Sequence, residues 1–328
     1  MLDLALTTLL SPVVLFFILG LLAALLRSSM SIPEAFAKGL AIYLMMAIGL
    51  KGGIAMSESP VTLAMIGVFA IAIVLSFSLP AIAYGALRVT SKLSRTDAAA
   101  TAAHYGSISI VTFVAATQLL ASANIESSGY MVAVAAAMEA PAIITALFLA
   151  SRGKQKSEPV AGSESGELFR EVLLNASVVV LVGALIIGAL IGTEGAAQIT
   201  PFFVDPFQGV LCLFLLDMGL SAGRGLRHGW RQLDAAALGF GIYMPLISAS
   251  LAAIASILLG LNTGDTALLM VLSASASYIA VPAAMRLALP EAKPSIYLTL
   301  SLGITFPFNI AVGIPLYLTV AQWLQGGA

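Results

Sequence analysis

Charge is what this sequence has least of. Asp, Glu, Lys and Arg make up 9% of its 328 residues and hydrophobic residues 60%, whereas a soluble globular domain carries about 25% charged residues. Lys and Arg (15) nearly balance Asp and Glu (16), and no basic run is long enough to track a phosphate backbone, which excludes nucleic acid as a partner. The single cysteine, Cys212, lies inside an apolar run and reads as a small buried hydrophobe, so no disulfide framework is available. There is no H-E-x-x-H, no P-loop and no Cys/His ligand cluster, so zinc hydrolysis and ATP-driven pumping lack their parts. His104 with Ser107 on a neighbouring turn is a weak imitation of a serine with its base. The sequence therefore reads as a non-enzyme without a cofactor. MLDLALTTLL begins with an acid where a signal peptide has basic residues and shows no small-residue cleavage site, so the first span is expected to be retained.

What is present is apolar, with a mean hydropathy of +1.03. Stretches able to cross a bilayer core, about 20 residues each, fall near 9–26, 32–56, 61–87, 96–122, 127–150, 172–192, 201–223, 234–259, 266–289 and 295–324. The expected fold is an all-α polytopic membrane protein of ten spans. The one extended polar linker, 151–171, separates a first unit over 1–150 from a second over 172–328 and reads as a flexible solvated loop. With the N-terminus outside, every one of the 15 Lys and Arg residues except Lys51 falls on the cytoplasmic side, so both termini are placed outside and the 151–171 loop in the cytoplasm.

Five spans is an odd number, so a second copy of the unit enters the membrane from the opposite face. GLAIYLMMAIGLKGGIA from Gly39 aligns with GVLCLFLLDMGLSAGRG from Gly209, which brings Gly49 onto Gly219. TDAAATAAHYGSISIVTFVAA from Thr96 aligns with GDTALLMVLSASASYIAVPAA from Gly264, pairing Asp97 with Asp265, Ser107 with Ser275 and Ser109 with Ser277. EAPAII at 139–144 faces TFPFNI at 305–310, with Pro141 opposite Pro307. A near-constant offset through three pairs of spans marks a five-plus-five inverted repeat.

Two stretches break the apolar pattern at matching places: HYGSISIVTF over 104–113 in the fourth span and SASASYIAVP over 273–282 in the ninth. Bare hydroxyls and loosened backbone are costly in lipid. Gly106, Ser107, Ser109 and Thr112 in one, and Ser273, Ser275, Ser277 and Pro282 in the other, predict two interrupted helices that cross. A restarting helix presents unpaired N–H groups and a positive dipole end to an anion, while hydroxyls and freed carbonyls suit Na⁺. The alternative is that Ser and Gly only let helices pack closely. Glu139, mid-span, is a candidate cation or proton carrier or else a structural acid. Asn309, one turn from its repeat-mate, offers an amide for a ligand or for packing. His104, Tyr105 and Tyr278 flank the breaks as possible gates or as packed core side chains. Lys51 and Asp217 fall near opposite membrane faces, as vestibule charges or interface anchors.

SIPEA at Ser31, IGLKGGIA at Ile48, YGSIS at Tyr105, MEAPAIITA at Met138, MGLSAG at Met218, VPAAMR at Val281 and VGIPLY at Val312 together resemble the sodium-dependent bicarbonate transporters, over nearly the whole chain. The resemblance implies a gate domain and a core domain, a homotrimer in the inner membrane, inward movement of bicarbonate with Na⁺, and a PII-like cytoplasmic regulator. It carries the anion and Na⁺ contacts onto Gly106, Ser107, Ser109, Thr112, Ser275, Ala276 and Ser277. The chain departs from the family's pattern in Ile110 and Val111, which stand where S-G-S-T has Gly and Ser, in Tyr278 where an acid follows the serine run, and in Ala280 and Val281 where a Ser-Gly pair stands. Glu139 stands where the family has a shorter acid. The reading is a Na⁺-coupled importer of a small anion, bicarbonate first, with Glu139, Ser109, Ser277 and Asn309 on the cation side. Its rivals are a symporter for a small organic carboxylate, a proton-coupled anion carrier and, from another class, a passive channel or a non-transporting receptor.

Overall fold

A computed structural model describes residues 10–57, 62–151, 176–230, 233–278, 281–282, 285 and 289–326. Almost all of the 151–171 linker lies outside these residues. The described chain is helical, without a strand. The helices are α1 (Pro12–Leu25), α2 (Glu34–Ser57), α3 (Leu63–Thr90), α4 (Arg95–His104), α5 (Ile110–Ser122), α6 (Met131–Ala137), α7 (Glu139–Ser151), α8 (Ala176–Phe203), α9 (Phe207–Gly229), α10 (Ala235–Leu259), α11 (Thr263–Ala274) and the composite α12 (Pro294–Leu324). Six of them, α2, α3, α8, α9, α10 and α12, are long and apolar enough to cross a bilayer. Leu19, Ile66 and Leu258 are exposed while Asp97, Glu139, Asp217, Asp265 and Asn309 are buried. A helix set that turns apolar side chains outward and polar ones inward is built for lipid; the chain is a multi-pass membrane protein.

Local signals set the helix starts. Ser11, Thr62, Ser94, Asp234 and Asn262 each take the N-cap position, and their side chains accept from the N–H three residues on. Gly260, at φ 63°, ends α10 in the left-handed conformation. Pro80 in α3, Pro201 in α8 and Pro245 in α10 sit inside long helices. Each removes one N–H from the ladder. For Pro245 the freed acceptor is the Gly241 carbonyl, and Thr305 Oγ1 of α12 donates to it at 2.7 Å. In α3, one turn before Pro80, Ser76 Oγ donates to the Met138 carbonyl at 2.6 Å.

α1 runs along α9 and α2 along α8, the most extensive helix pairings in the molecule. Both crossings are tight because glycines meet backbone. A Cβ on Gly20 would strike the Leu216 carbonyl oxygen, one on Gly219 that of Phe17, one on Gly53 that of Leu185 and one on Gly188 that of Leu50. The third and eighth spans, by contrast, pack on the broken ones, α3 against α4 and α7, α10 against α11. This sorts the helices into a four-helix group, α1, α2, α8 and α9, and a second group holding the interruptions.

Three boundaries differ from the hydropathy reading. The sixth span does not end at 192: Gly192 turns the chain (φ 57°, ψ −162°) and helix continues to Phe203. The seventh accordingly begins at Phe207, which puts Asp217 eleventh of its 23 residues and 6% exposed. Asp217 is thus a buried mid-span acid, not a charge near a membrane face. The fifth span is interrupted at Met138, between α6 and α7, because Pro141 offers no N–H to the Ala137 carbonyl. Around the matching Pro307, α12 widens into π-helical turns at Thr299–Thr305 and Asn309–Gly313.

Gly53→Val is expected to force α2 and α8 apart, at a cost of about 1–3 kcal/mol, and to lower the melting temperature of the detergent-solubilised protein. Gly85→Ala, where an added Cβ meets nothing within 4 Å, is the control and should melt no lower than the native chain. Equal melting of the two variants would show the crossing to be loose.

Candidate functional site

The fourth span stops at His104, runs unwound through Tyr105 to Ser109 and restarts as α5. The ninth stops at Ala274 and is extended at Ser275 (φ −77°, ψ 159°); its restart after Ser277 lies largely outside the described residues. The two breaks cross and complete each other. Ser109 N–H donates to Ser275 Oγ at 2.8 Å, and Ser277 N–H donates to the His104 carbonyl at 2.8 Å. Each interruption thereby supplies a partner for backbone that the other has set free. Gly106 is required at the crossing, since a Cβ there would run into the Pro80 ring and Ala142.

Ser109 is the N-cap of α5. Its hydroxyl oxygen accepts from Thr112 N–H at 3.2 Å and from Thr112 Oγ1 at 2.9 Å. The Ile110 and Val111 N–H groups have no intrahelical carbonyl and no hydrogen bond to a described residue. They point out of the positive end of a 13-residue helix. Ser275 Oγ, besides accepting from Ser109, donates to the Leu272 carbonyl at 2.8 Å. Ser107 Oγ is 1% exposed as a residue and makes no hydrogen bond. A buried hydroxyl left bare costs about 1–3 kcal/mol, and it stands beside the loosened backbone.

The remaining expected residues divide. Ala276 and Ser277 are buried within the second break. Tyr278 covers the α5 cap, its hydroxyl beside Ser109 and its ring edge-on to Phe306 at 5.2 Å. Tyr105 donates to Thr305 Oγ1 at 2.7 Å, which itself donates to Gly241, so it ties the first break to α12. His104 Nδ1 donates to the Ala100 carbonyl at 2.7 Å, which fixes the tautomer and leaves Nε2 as a buried acceptor without a partner; the ring stacks on Tyr297 at 4.7 Å. Asn309 has both ends of its amide engaged, donating to the Ala274 carbonyl at 2.9 Å and accepting from Tyr317 OH at 3.0 Å. It caps the last turn of α11.

Glu139 opens α7, three residues before the Ala142 that packs on Gly106, and so lies on the same helix face one turn away. It is 7% exposed and its Oε2 makes no hydrogen bond. A buried carboxylate oxygen with lone pairs to spare is what a cation or a proton would seek.

Two residues that the sequence pattern paired without assigning a task turn out to organise the site from below. Asp97, in the first turn of α4, accepts from Lys293 N–H at 2.9 Å, at the start of α12. Asp265, in the first turn of α11, accepts from Ser128 N–H and Ser128 Oγ, both at 2.7 Å, and from Tyr130 OH at 3.1 Å, just before α6. Each broken helix therefore anchors the start of a helix more than 130 positions away, α4 that of α12 and α11 that of α6. Their equivalence in the alignment was the available signal.

Two cavities flank α5. One of about 500 Å³ lies between α1, α5 and α12 and is lined by Ser11, Gln118, Gln208 and Ile310 among others. One of about 230 Å³ lies between α2, α5 and the start of α6, with Lys51, Thr117, Gln118 and Ser128 in its wall. Both sit between the four-helix group and the interrupted helices.

A multi-pass helical protein with two crossed, hydrogen-bonded helix breaks and bare polar groups buried beside them has the build of a transporter for a small ion. Residues 12–322 match the Na⁺-dependent bicarbonate transporter superfamily, and the chain belongs to that family. No curated protein matches it.

Ser275→Ala would leave the buried Ser109 N–H without its acceptor, and is expected to destabilise the solubilised protein by about 1–3 kcal/mol. Ser107→Ala removes a hydroxyl that bonds to nothing and should melt like the native chain. Thermal unfolding of the pair separates the structural serine from the free one, and a reversed order would refute the assignment.

Proposed function

We propose that this protein is a secondary active importer of a small anion, bicarbonate, driven by Na⁺, in the inner membrane. The observation that carries the reading is the crossing itself. The two breaks satisfy each other through Ser109, Ser275, Ser277 and His104, yet the Ile110 and Val111 N–H groups and the Ser107 hydroxyl stay free. A singly charged, planar oxyanion fits that surplus: donors for its oxygens, a helix dipole for its charge, and, among the described residues at the crossing, no cationic side chain holding it too tightly to leave. In this reading Gly106, Ser107, Ser109, Thr112, Ser275, Ala276 and Ser277 surround the anion. Na⁺ takes carbonyl and hydroxyl oxygens of the same breaks, with the unpartnered Oε2 of Glu139 as its charge partner.

The same reading takes the chain as ten spans in a five-plus-five inverted repeat with both termini outside. The reciprocal Asp97–Lys293 and Asp265–Ser128 contacts support it, as does the pairing of α1 with α9 and α2 with α8, the arrangement expected when each half lends its first two helices to the other. The four-helix group then serves as gate and the interrupted helices as the moving core, in a homotrimer on the family's pattern.

Uptake of labelled bicarbonate into proteoliposomes, at fixed pH and voltage, with and without an inward Na⁺ gradient, tests the proposal. Accumulation is expected only with the gradient, to fall at least about tenfold in Ser107→Ala, a loss of about 1.4 kcal/mol, and to lose its Na⁺ dependence in Glu139→Gln. No bicarbonate accumulation under any gradient would sink the substrate. Accumulation that follows a pH gradient and ignores Na⁺ would move the coupling to protons.

A further inference from the structure

Lys51 is a charge that has no ion-pair partner among the described residues. Of the 15 Lys and Arg residues it alone falls on the outer side when the chain is oriented by its basic loops. Lysines near helix ends ordinarily snorkel to the headgroups. This one instead lines the cavity of about 230 Å³, its ammonium held 4.9 Å from the centroid of the Phe207 ring, on α9. It is exposed, and it makes no ion pair with a described residue.

The wall opposite Lys51 is α5. Thr117 and Gln118 stand there, and the Gln118 side chain makes no hydrogen bond to a described residue. Gln118 also lines the larger cavity on the other side of α5. The floor is rigid: Ser128 is bound through N–H and hydroxyl to Asp265, and Gly52 and Gly129 allow α2 and the loop before α6 to touch. At its inner end the cavity reaches Phe113, one turn along α5 from the Ser109 cap. An unpaired ammonium in a concave, low-dielectric wall focuses its field into the opening and raises the local concentration of anions.

We infer that Lys51 and Gln118 form an oxyanion subsite in an outer vestibule, where the transported anion is collected before it moves about two and a half turns along α5, past Phe113, to the helix breaks. This rests on the reading of the protein as an anion importer with its N-terminus outside. Lys51 supplies charge, and the Gln118 amide supplies a directed donor. Neither residue takes part in the crossing, so the subsite acts on capture and leaves the translocation step alone.

Uptake kinetics of three forms test it at low ionic strength. Lys51→Gln should raise KM for bicarbonate about five- to tenfold with kcat held within about twofold, as expected when long-range attraction is removed. Lys51→Arg should stay near native, and the difference between Gln and native should shrink as ionic strength rises. An unchanged KM in Lys51→Gln, or a loss in kcat alone, overturns the proposal. A second measurement needs no transport. Labelling of Lys51 by trinitrobenzenesulfonate in the solubilised protein, read by mass spectrometry, should be slowed by bicarbonate, nitrate or acetate beyond the screening given by chloride at equal ionic strength. Protection by any of these with no bicarbonate uptake would keep the subsite and discard the substrate assignment. Protection by none of them overturns the subsite.

Discussion

Backbone that leaves a helix inside a membrane has to find a partner, and here the partner is the other break. Ser109 N–H on Ser275 Oγ and Ser277 N–H on the His104 carbonyl are two hydrogen bonds in surroundings where an unsatisfied amide costs several kcal/mol. Neither interruption would be tolerable alone. Their mutual satisfaction fixes where the helices cross, dictates glycine at position 106 against Pro80 and Ala142, and leaves a small surplus of donors and acceptors beside the crossing. The outer parts serve that crossing: Tyr105 and Asn309 tie the breaks to α12, and Thr305 relieves the carbonyl freed by Pro245.

How such a site releases what it holds follows from the kind of groups present. In the proposed reading the anion side would have main-chain N–H groups, hydroxyls and half of a helix dipole, with no arginine or lysine among the described residues at the crossing. Those groups attract an anion strongly only while water is excluded. Opening the site to either side therefore weakens binding without any chemical step. In the proposed reading the cation side would rest on Glu139, which shares a helix face with the residue packed on Gly106. An anion and a cation bound so close together would each lower the cost of burying the other, which is the physical content of coupled transport.

Hydropathy and small polar residues made much of this legible in advance. The breaks stood out because Gly, Ser and Pro clustered inside an apolar run loosen a helix and bring bare hydroxyls into lipid, and the alignment of Asp97 with Asp265 located the two anchoring acids. What the sequence did not disclose were the partners. Nothing in Lys293 or Ser128 marks it as the recipient of an aspartate more than 130 positions away. The interruption at Met138 and the π turns around Pro307 escaped because a proline within a long apolar run is as compatible with a simple kink. The displaced start of the seventh span, which moved Asp217 into the interior, depended on Gly192 adopting a positive φ, and many glycines in this chain do not. Asn309 shows the converse: its residue type suited a ligand, and its geometry makes it a cap for α11.

The exchange of anchors between halves bears on how the protein is made. Asp97 pairs with a residue 196 positions downstream, so until that residue is synthesised α4 has α3 and α7 to pack on but lacks its anchor at Lys293, and α1 and α2 lack the glycine-lined partners they meet in α9 and α8. The two glycine-lined crossings close only once α8 and α9 have been synthesised. Among the described residues the two parts are joined by helix packing and by the aspartate anchors, contacts that are equally open to two separately expressed halves.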